Sequence, residues 1–328
     1  MFFGLRSRRK LQVSKILITG GAGFLGASLI QHLLNETKHQ IISIERPTRQ
    51  SKFQNNSRVK VVYHDLQTPL EACSAKEMEG IEYIVHFASL TNVATSIEKP
   101  ESFVINNVLG TTHLLEFARK NITHLKQFLY FSTAEIFGRQ PAGAVVDELG
   151  AIEAYSPYAA TKIGAQEMCL SYKNAFNMPV VIAYAMNTFG PHQSQDKFIP
   201  LIIGKILRGE KVYIYLNAAG TAPNRRNYLH VDDLCDAILF LNRNGITGEK
   251  YNIAAEEESD NLKIAQMISR LLGKKLDYEL IEQKQNSLTL PRLSGEKLQR
   301  LGWHQKKTLE EGLRKLIELP REKSHDSF

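Results

Sequence analysis

A tyrosine and a lysine in the segment "SPYAATK", Tyr158 and Lys162, have residue types and a spacing that suit acid–base chemistry. Side chains at this spacing lie one turn apart on the same face of a helix. Because a nearby ammonium group stabilises a phenolate, we expect Lys162 to lower the pKa of Tyr158 and to let it accept a proton near neutral pH. The spacing also occurs by chance in helices, so it needs support from other motifs.

A carboxylate stands at the end of an apolar stretch in "FSTAEIFG", residues 131–138. This residue, Glu135, follows Thr133 by two positions. It has two interpretations: a side chain that caps or pairs within the loop after a strand, or a proton acceptor that acts beside Thr133.

Three glycines, Gly20, Gly23 and Gly26, are spaced three residues apart in "TGGAGFLG", directly after a predicted strand and within the start of a predicted helix. Glycines there permit a tight turn and let backbone N–H groups approach a pyrophosphate, whose charge is favoured at a helix N-terminus. Because the motif lies between a strand and a helix, it indicates a dinucleotide site.

Two acidic residues follow at the ends of the next two predicted strands. Glu45 lies about 20 residues after the glycines, where a carboxylate can accept hydrogen bonds from a ribose 2′-hydroxyl and repel a 2′-phosphate. We therefore expect NAD rather than NADP as the cofactor, although the positive charge of the neighbouring Arg46 weakens the repulsion of a 2′-phosphate. Asp65 either bonds the adenine or caps its loop.

The elements that position these residues alternate along the first half of the chain. Short β-branched apolar runs predict buried strands, and apolar residues at helical spacing predict helices between them. The predicted strands are 15–20, 40–46, 59–66, 83–88, 127–133 and 179–186, and the predicted helices include 24–36, 101–120 and 156–176. This alternation predicts an α/β fold with a Rossmann-like, doubly wound parallel sheet.

After Gly190 the sequence becomes richer in polar loops and turns, which predicts a smaller α+β lobe built over the edge of the sheet. The predicted division is a dinucleotide-binding domain at 14–186 with a returning segment at about 228–254, the smaller lobe at 187–227 and 255–319, and a basic leader at 1–13.

Composition narrows the function classes. The 328 residues are 43% hydrophobic with a formal net charge of +7, and no apolar run is long enough for a membrane span. The apolar part of the leader is too short for a signal peptide, so we expect a cytoplasmic protein. Its four positive charges are read as a solvated tail rather than a nucleic-acid site. Cys73, Cys169 and Cys235 lie far apart and are expected to be core residues, with no metal site.

Together with "NNVLGT" at 106–111, these motifs resemble the extended short-chain dehydrogenase/reductase superfamily over residues 15–318. The chain looks most like the branch of nucleotide-sugar dehydratases and epimerases, and resembles the dTDP-glucose 4,6-dehydratase-like enzymes. The stretches that carry this resemblance are "HFASLTNVATSIEKP" (86–100), "NTFGPHQSQDKFIPLII" (187–203), "RRNYLHVDD" (225–233), "YNIA" (251–254) and "LQRLGW" (298–303).

The resemblance implies roles for individual residues. Tyr158 would remove the O4 proton of a sugar held by Thr133, and Lys162 would hold the nicotinamide ribose. The predicted NAD site comprises Gly20, Gly23, Phe24, Leu25, Gly26, Glu45, Asp65, Leu66, Ala88, Asn107, Tyr158 and Lys162. The predicted substrate site comprises Thr91, Thr133, Asn187, Lys197, Phe198, Ile199, Arg226 and Arg292, of which the two arginines would meet the diphosphate.

In this branch, Glu135 occupies the place of the glutamate that takes the C5 proton in 4,6-dehydratases. Ala134 departs from the pattern, because the usual residue there is an Asp that protonates the leaving C6 hydroxyl. The departure leaves open a 4,6-dehydratase with one shuttling Glu, a 5,6-dehydratase and a UDP-glucuronate-type decarboxylase. A 4-epimerase and a non-catalytic NAD-binding module are further alternatives.

The resemblance also predicts assembly. The helices at 101–120 and 156–176 match those that family members pair across a two-fold axis, so we expect a homodimer.

Overall fold

The computed structural model describes residues 13–70, 78–141, 143–185, 187–217, 219–282 and 291–318. Within these ranges the strands are β1 Lys15–Thr19, β2 Gln40–Glu45, β3 Val59–Tyr63, β4 Ile81–His86, β5 Gln127–Thr133, β6 Val145–Val146, β7 Val180–Ala185, β8 Thr188–Phe189, β9 Val212–Tyr215, β10 Arg225–Asn227, β11 Leu229–His230, β12 Lys250–Ile253, β13 Glu258–Asp260, β14 Tyr278–Ile281 and β15 Arg292–Leu293.

The helices described are α1 Phe24–Glu36, α2 Val93–Glu98, α3 Pro100–Phe103, α4 Gly110–Asn121, α5 Pro157–Phe176, α6 Phe198–Arg208, α7 Val231–Asn244, α8 Asn261–Leu272, α9 Glu296–Leu301 and α10 Leu309–Glu318. A π-helical segment, Val104–Leu109, joins α3 to α4, and a 3₁₀ turn, Ala134–Phe137, follows β5. The expected single helix at 101–120 is therefore interrupted, because its middle forms i→i+5 hydrogen bonds.

The centre of the molecule is a seven-stranded sheet in the order β12-β7-β5-β4-β1-β2-β3, and every neighbouring pair is parallel. The predicted doubly wound parallel sheet is thus confirmed. The chain winds outward in one direction from β1 to β3 and in the other from β4 to β12. At such a reversal the connections leave the sheet on opposite sides, which opens a crevice beyond the carboxyl ends of β1 and β4.

Helices cover both faces of the sheet. One face packs on α4 and α5 through residues such as Leu114, Leu115 and Ala165, and the other packs on α1 and α7 through residues such as Ile30 and Ile238. Buried Cys169 and Cys235 belong to these two cores, whereas Cys73 lies outside the described residues. Because both faces are covered, the strands are apolar nearly throughout.

A third hydrophobic cluster forms apart from the sheet, from α6, α8, α10 and β9. Its members include Ile202, Ile206, Ile264, Ile268 and Leu313, and β9 pairs with β14 in a two-stranded sheet. The division of the chain at 186/187 stays a prediction.

Among the described residues, no helix is both long and apolar enough to span a membrane. The same residues contain no group of three or more His, Cys, Asp or Glu side chains with the proximity that a metal ion needs.

Candidate active site

A cavity of about 610 Å³ lies beyond the carboxyl ends of the central strands, between the sheet and the part built on the third cluster. Its sheet side includes Gly20 after β1, Glu45 at the end of β2, and Thr133 at the end of β5. Its other side includes Lys197 and Tyr228, which lie beyond Gly190 in sequence. The cavity therefore occupies the crevice that the strand order creates.

The glycine loop forms one wall and leaves no room for side chains. Gly20 has a φ of +73°, and a Cβ atom there would lie 3.2 Å from the Cα and N atoms of Ala88. A Cβ on Gly26 would collide with the carbonyl oxygen of Gly20. The loop places the N-terminus of α1 at the cavity, where Gly23, Phe24 and Leu25 also line it. An anionic diphosphate fits such a wall.

Glu45 lies beneath this loop. It is only 2% exposed, although it borders the cavity. Its carboxylate accepts a hydrogen bond from the Ser43 hydroxyl and hydrogen bonds from the backbone N–H groups of Gly21 and Ala22. Burial raises the pKa of Glu45, and these donors oppose that effect. Glu45 thus ties the glycine loop to β2, and its contact with a ribose stays a prediction.

Asp65, Leu66 and Ala88 also line the cavity. The Asp65 carboxylate accepts a hydrogen bond from the Gln67 N–H at 3.0 Å and lies 3.5 Å from the Arg46 Nε atom. Asp65 therefore caps its own loop while it faces the cavity, so both of its predicted interpretations are compatible with its position.

The side chains of Thr133 and Tyr158 are hydrogen-bonded to each other at the cavity wall. The Thr133 Oγ1 atom also accepts the backbone N–H of Glu135 at 3.2 Å, at the start of the 3₁₀ turn. The Thr133 hydroxyl still has its one proton to donate, and the Tyr158 oxygen is the partner that receives it.

The pKa of Tyr158 is raised, chiefly by burial and additionally by the negative charge of Glu135. The expected lowering by Lys162 was wrong for this arrangement. The Lys162 Nζ atom instead donates to the Phe131 carbonyl oxygen at 2.7 Å and lies 4.3 Å from the centre of the Tyr130 ring. Burial lowers the pKa of Lys162 to about 7, so near neutral pH the lysine is charged in only part of the molecules.

Glu135 lies just outside the cavity lining, beside two residues that belong to it. Its charge acts on Tyr158, and the Lys197 ammonium acts on Glu135. Burial raises the pKa of Glu135, and Lys197 partly opposes this rise. The preceding residue, Ala134, is 0% exposed and packs in the core, so it supplies no acid.

Five residues predicted for the substrate line the cavity together with Thr133: Thr91, Asn187, Lys197, Phe198 and Ile199. Asn187 has a φ of +45°, and its Nδ2 atom is buried without a hydrogen-bond partner among the described residues. An unpaired buried donor is costly, so Asn187 is suited to hold an acceptor from a ligand. This side chain is the strongest structural indication of a polar ligand on that side.

Besides Glu135, three predicted residues lie outside the lining. Arg226 donates to the Arg225 carbonyl oxygen at 2.8 Å, and Arg292 donates to the Glu256 carbonyl oxygen at 3.0 Å. Asn107 is buried, and its amide bonds both the N–H and the C=O of Leu90 and the Thr161 hydroxyl. It therefore holds a loop that borders the cavity, while its neighbour Asn106 does line it.

A buried polar network continues from Asn107 to the first strand. The Thr111 hydroxyl donates to the Asn107 carbonyl at 2.6 Å, so it accepts from the His86 Nε2–H at 2.9 Å. The His86 Nδ1 atom then accepts from the Thr19 hydroxyl at 2.6 Å. Burial lowers the pKa of His86 to about 3, which matches this neutral tautomer. The network fixes the loop that carries Ala88, whose N–H donates to the Thr19 oxygen at 3.1 Å.

Sequence reasoning missed several residues of the lining. Ser132 and Gln193 line the cavity and each carries a buried oxygen, Oγ and Oε1, without a hydrogen-bond partner among the described residues. Tyr228, Arg46 and Arg49 also line it. Ser132 directly precedes Thr133, which was a usable signal, whereas Gln193 lies in a polar loop with no periodic pattern.

The chain is similar to proteins of known activity. The model of the "NAD dependent epimerase/dehydratase family" matches residues 16–254. The chain is 32% identical over 268 residues to the dTDP-glucose 4,6-dehydratase of Streptomyces niveus, which covers 79% of this chain and 78% of that protein. It is 28% identical over 335 residues to dTDP-glucose 4,6-dehydratase 1 of Escherichia coli K12, which covers 93% and 92% of the two chains.

A solved structure agrees with these similarities. The crystal structure of the dTDP-glucose 4,6-dehydratase of Streptomyces venezuelae, with NAD bound, has a TM-score of 0.81 to this chain at 27% identity. The match covers 92% of this chain and 95% of that one.

Proposed function

Because the chain belongs to the NAD-dependent epimerase/dehydratase family, we propose that it is an NAD-dependent nucleotide-sugar 4,6-dehydratase. The observation that carries the proposal is the position of Glu135, a half-buried carboxylate beside the hydrogen-bonded pair of Thr133 and Tyr158. A 4-epimerase has no use for such a group, whereas a dehydratase needs one to take the C5 proton.

The residues of the glycine loop, Glu45, Asp65, Leu66 and Ala88 would hold NAD, with Tyr158 and Lys162 at its nicotinamide end. This assignment fits the structure, because the wall at Gly20 and Gly26 has no space for side chains and presents a helix N-terminus. When bound, NAD supplies an acceptor for the C4 hydride and later returns it.

The first task of the protein side chains is to remove the proton from the sugar O4. Tyr158 would accept it, since its oxygen already lies within hydrogen-bond reach of Thr133. Thr133 would hold O4 in place with its hydroxyl. Tyr158 can take this proton only as the phenolate, which becomes the neutral phenol when it does so. Because burial disfavours the phenolate, we infer that only a minor ionised fraction of Tyr158 starts the reaction.

The second task is elimination across C5 and C6 of the 4-keto sugar. Glu135 would take the C5 proton, which the neighbouring ketone acidifies. Ala134 offers no acid, so we infer that Glu135 passes its newly gained proton to the leaving C6 hydroxyl, on the same side of the sugar. The raised pKa of Glu135 favours the protonated form that this transfer requires.

On the other side of the cavity, Asn187 would hold the sugar or its diphosphate, and Thr91 would lie beside the sugar. Lys197, Phe198 and Ile199 would border the nucleotide. Arg226 and Arg292 lie outside the lining, and each uses one of its five N–H donors on a backbone carbonyl oxygen, so the remaining donors would be the ones to meet the diphosphate. A nucleoside diphosphate sugar is therefore the substrate class that this proposal assigns.

We also propose that two copies of the chain form a homodimer through the surface around the π-helical segment. Apolar side chains are exposed there, with Ile97 at 66%, Val104 at 50% and Leu109 at 41%. They lie on the outer side of helices that pack against α5. A second copy presenting the same surface would remove these side chains from water.

One experiment separates the candidate functions. The purified chain is incubated with UDP-, dTDP-, GDP- and CDP-hexoses, and the products are analysed by mass spectrometry and by the ultraviolet absorbance of 4-keto-6-deoxy sugars in alkali. A 4,6-dehydratase forms a product that has lost one water and carries this absorbance. Loss of water without the 4-ketone would indicate a 5,6-dehydratase, and loss of carbon dioxide from a nucleotide uronate would indicate a decarboxylase.

An unchanged mass with inverted C4 would indicate an epimerase, and no conversion of any sugar would favour a binding module. Either result would reject the dehydratase.

A further inference from the structure

The loop that follows β7 carries a glutamine to which the proposed function gives no role. Gln193 lines the cavity, and its Nε2 atom donates to the carbonyl oxygen of Thr188 at 2.7 Å. Because a carbonyl oxygen can only accept, this contact fixes which end of the Gln193 amide is the nitrogen and which is the oxygen. That oxygen, Oε1, is buried and has no hydrogen-bond partner among the described residues.

A second unpaired group belongs to the same loop. The Nδ2 atom of Asn187, which directly precedes Thr188, is likewise buried and without a partner in the described part of the chain. The backbone is anchored here, because the Asn187 carbonyl oxygen accepts the Leu229 N–H at 3.3 Å and β8 pairs with β11. One anchored loop therefore places an acceptor, Gln193 Oε1, and a donor, Asn187 Nδ2, in the lining of the cavity.

These two groups determine what kind of ligand atom suits the loop. A buried acceptor that stays unpaired is costly, so Gln193 requires an O–H or N–H group from the ligand. The oxygens of an ionised diphosphate only accept and do not meet this requirement. A hydroxyl group does, because it can donate to Gln193 and accept from Asn187 at the same time.

The position of the loop indicates which hydroxyl this is. Ala185, at the end of β7, lies opposite Thr133 on β5, and Thr133 is the proposed partner of the sugar O4. Asn187 follows Ala185 by two residues, so the loop leaves the sheet beside the proposed reaction centre. The hydroxyls nearest to O4 in a hexose are those on C3 and C6, and the C6 hydroxyl is the leaving group assigned to Glu135. The C3 hydroxyl is the one that still needs a partner.

We propose that Gln193 is a specificity-determining residue that accepts a hydrogen bond from the C3 hydroxyl of the nucleotide sugar, while Asn187 donates to the same oxygen. The proposal rests on the substrate class of the proposed function, but not on its reaction. A sugar whose C3 substituent cannot donate is rejected, because the Gln193 oxygen then stays buried and unpaired.

Fluorinated sugars test the proposal by binding alone. UDP-, dTDP-, GDP- and CDP-glucose are titrated into the full chain with NAD present, in a Tyr158→Phe background that prevents turnover. The glucose nucleotide that binds most tightly is then compared with its 2-deoxy-2-fluoro and 3-deoxy-3-fluoro analogues. Fluorine is no larger than a hydroxyl and cannot donate. We expect the 3-fluoro analogue to bind about tenfold to a hundredfold more weakly than the parent sugar, and the 2-fluoro analogue to bind within about threefold of it.

Gln193→Met separates recognition from a structural role, since it keeps an unbranched side chain of similar length without the amide. The variant should bind the parent sugar about tenfold or more weakly, and should bind the 3-fluoro analogue within about threefold of the parent sugar, because no acceptor is left unpaired. A side chain that only held the loop would weaken both ligands alike and keep their ratio. Gln140→Met is the matched control, because the Gln140 amide also donates to a backbone carbonyl oxygen, that of Phe137, and lies outside the lining. It should change neither affinity.

Three results overturn the proposal: a 3-fluoro analogue that binds as well as the parent sugar, rejection of the 2-fluoro analogue instead, or discrimination at C3 that persists in Gln193→Met. A Gln193→Met variant that loses affinity for NAD and keeps the sugar affinities would also overturn it, because the amide would then serve the cofactor. If none of the four glucose nucleotides binds, the substrate class of the proposed function is rejected. Dehydration of a nucleotide sugar without discrimination at C3 would reject this proposal alone.

Discussion

Replacing Glu135 by Gln tests the chemistry proposed for the carboxylate. The change keeps the size of the side chain and removes its ability to accept a proton. The backbone N–H of residue 135 still donates to Thr133, so the 3₁₀ turn should persist. Removal of a buried charge also relieves its desolvation, so we expect the variant to fold at least as stably as the parent.

The expected loss of turnover follows from the isolation of this carboxylate. Ala134 cannot replace it, and Glu135 is the carboxylate whose charge acts on Tyr158. Loss of a general base commonly slows a reaction by about 10²- to 10⁴-fold. This range corresponds to about 2.7 to 5.4 kcal/mol of lost transition-state stabilisation.

The assay compares three measurements on Glu135→Gln and Tyr158→Phe. Tyr158→Phe should abolish oxidation at C4, and therefore all later steps. Glu135→Gln should still form the 4-keto sugar, which the absorbance of the reduced cofactor reveals, but should form no dehydrated product and should exchange no C5 hydrogen with heavy water. Glu153→Gln is the control, because Glu153 is exposed beside the same turn and outside the lining.

The result that refutes this reasoning is a Glu135→Gln variant with turnover close to that of the parent. The carboxylate would then be structural, and a 4-epimerase would become the better assignment. Persistent C5 exchange with no product would instead show that another group takes the proton and that Glu135 acts only afterwards.

Three further predictions concern pH, assembly and stability. Because burial raises the pKa of Glu135 and its ionised form is the proposed base, turnover should fall as the pH falls through a value above the ordinary 4.5, and the residual rate of Glu135→Gln should lack this fall. Val104→Asp should give a monomer in light scattering, whereas Ile246→Asp, at an exposed apolar site elsewhere, should leave a dimer; a dimeric Val104→Asp would reject the proposed interface. Asn107→Ala should lower the free energy of unfolding by about 2 to 4 kcal/mol in denaturant titration, because the loss of the Asn107 amide leaves both backbone groups of Leu90 unpaired. The control Asn244→Ala, at an exposed position, should lower it by less than about 0.5 kcal/mol, and equal losses in the two variants would contradict this role of Asn107.

Most of the fold was predictable because its strands are buried on both sides. Such strands form continuous β-branched runs, and β1, β2 and β5 begin at their predicted residues. The π-helical segment at Val104–Leu109 was not predictable, since apolar residues at helical spacing look the same whether one turn is widened or not. The segment packs against α5, which is distant in sequence, so the neighbours that surround the widened turn cannot be identified from local spacing.

The site was predictable in its backbone positions and less so in its side-chain directions. The glycine loop follows from local rules, because its conformation excludes side chains at Gly20 and Gly26. Glu45, Arg226 and Arg292 were predicted to face ligands, yet each bonds a partner within the protein. Ser43 and Arg225 are near neighbours of Glu45 and Arg226 on the same strands, whereas Arg292 bonds a carbonyl oxygen in a segment distant in sequence. Spacing in the sequence does not reveal which of these partners a side chain turns to, because its direction depends on how the whole fold packs.

Tyr158 and Lys162 show why the charge of a side chain is harder to predict from a sequence than its position. Helical spacing does place Tyr158 and Lys162 on the same face of α5, and both line the cavity. The same packing that brings them there removes water from both, and burial then disfavours phenolate and ammonium alike. The long lysine side chain meets its need for an acceptor at the Phe131 carbonyl, so its charge does not offset the burial of the tyrosine. A sequence can therefore identify two residues suited to proton transfer, but the direction of each pKa shift depends on how far the whole fold removes them from water.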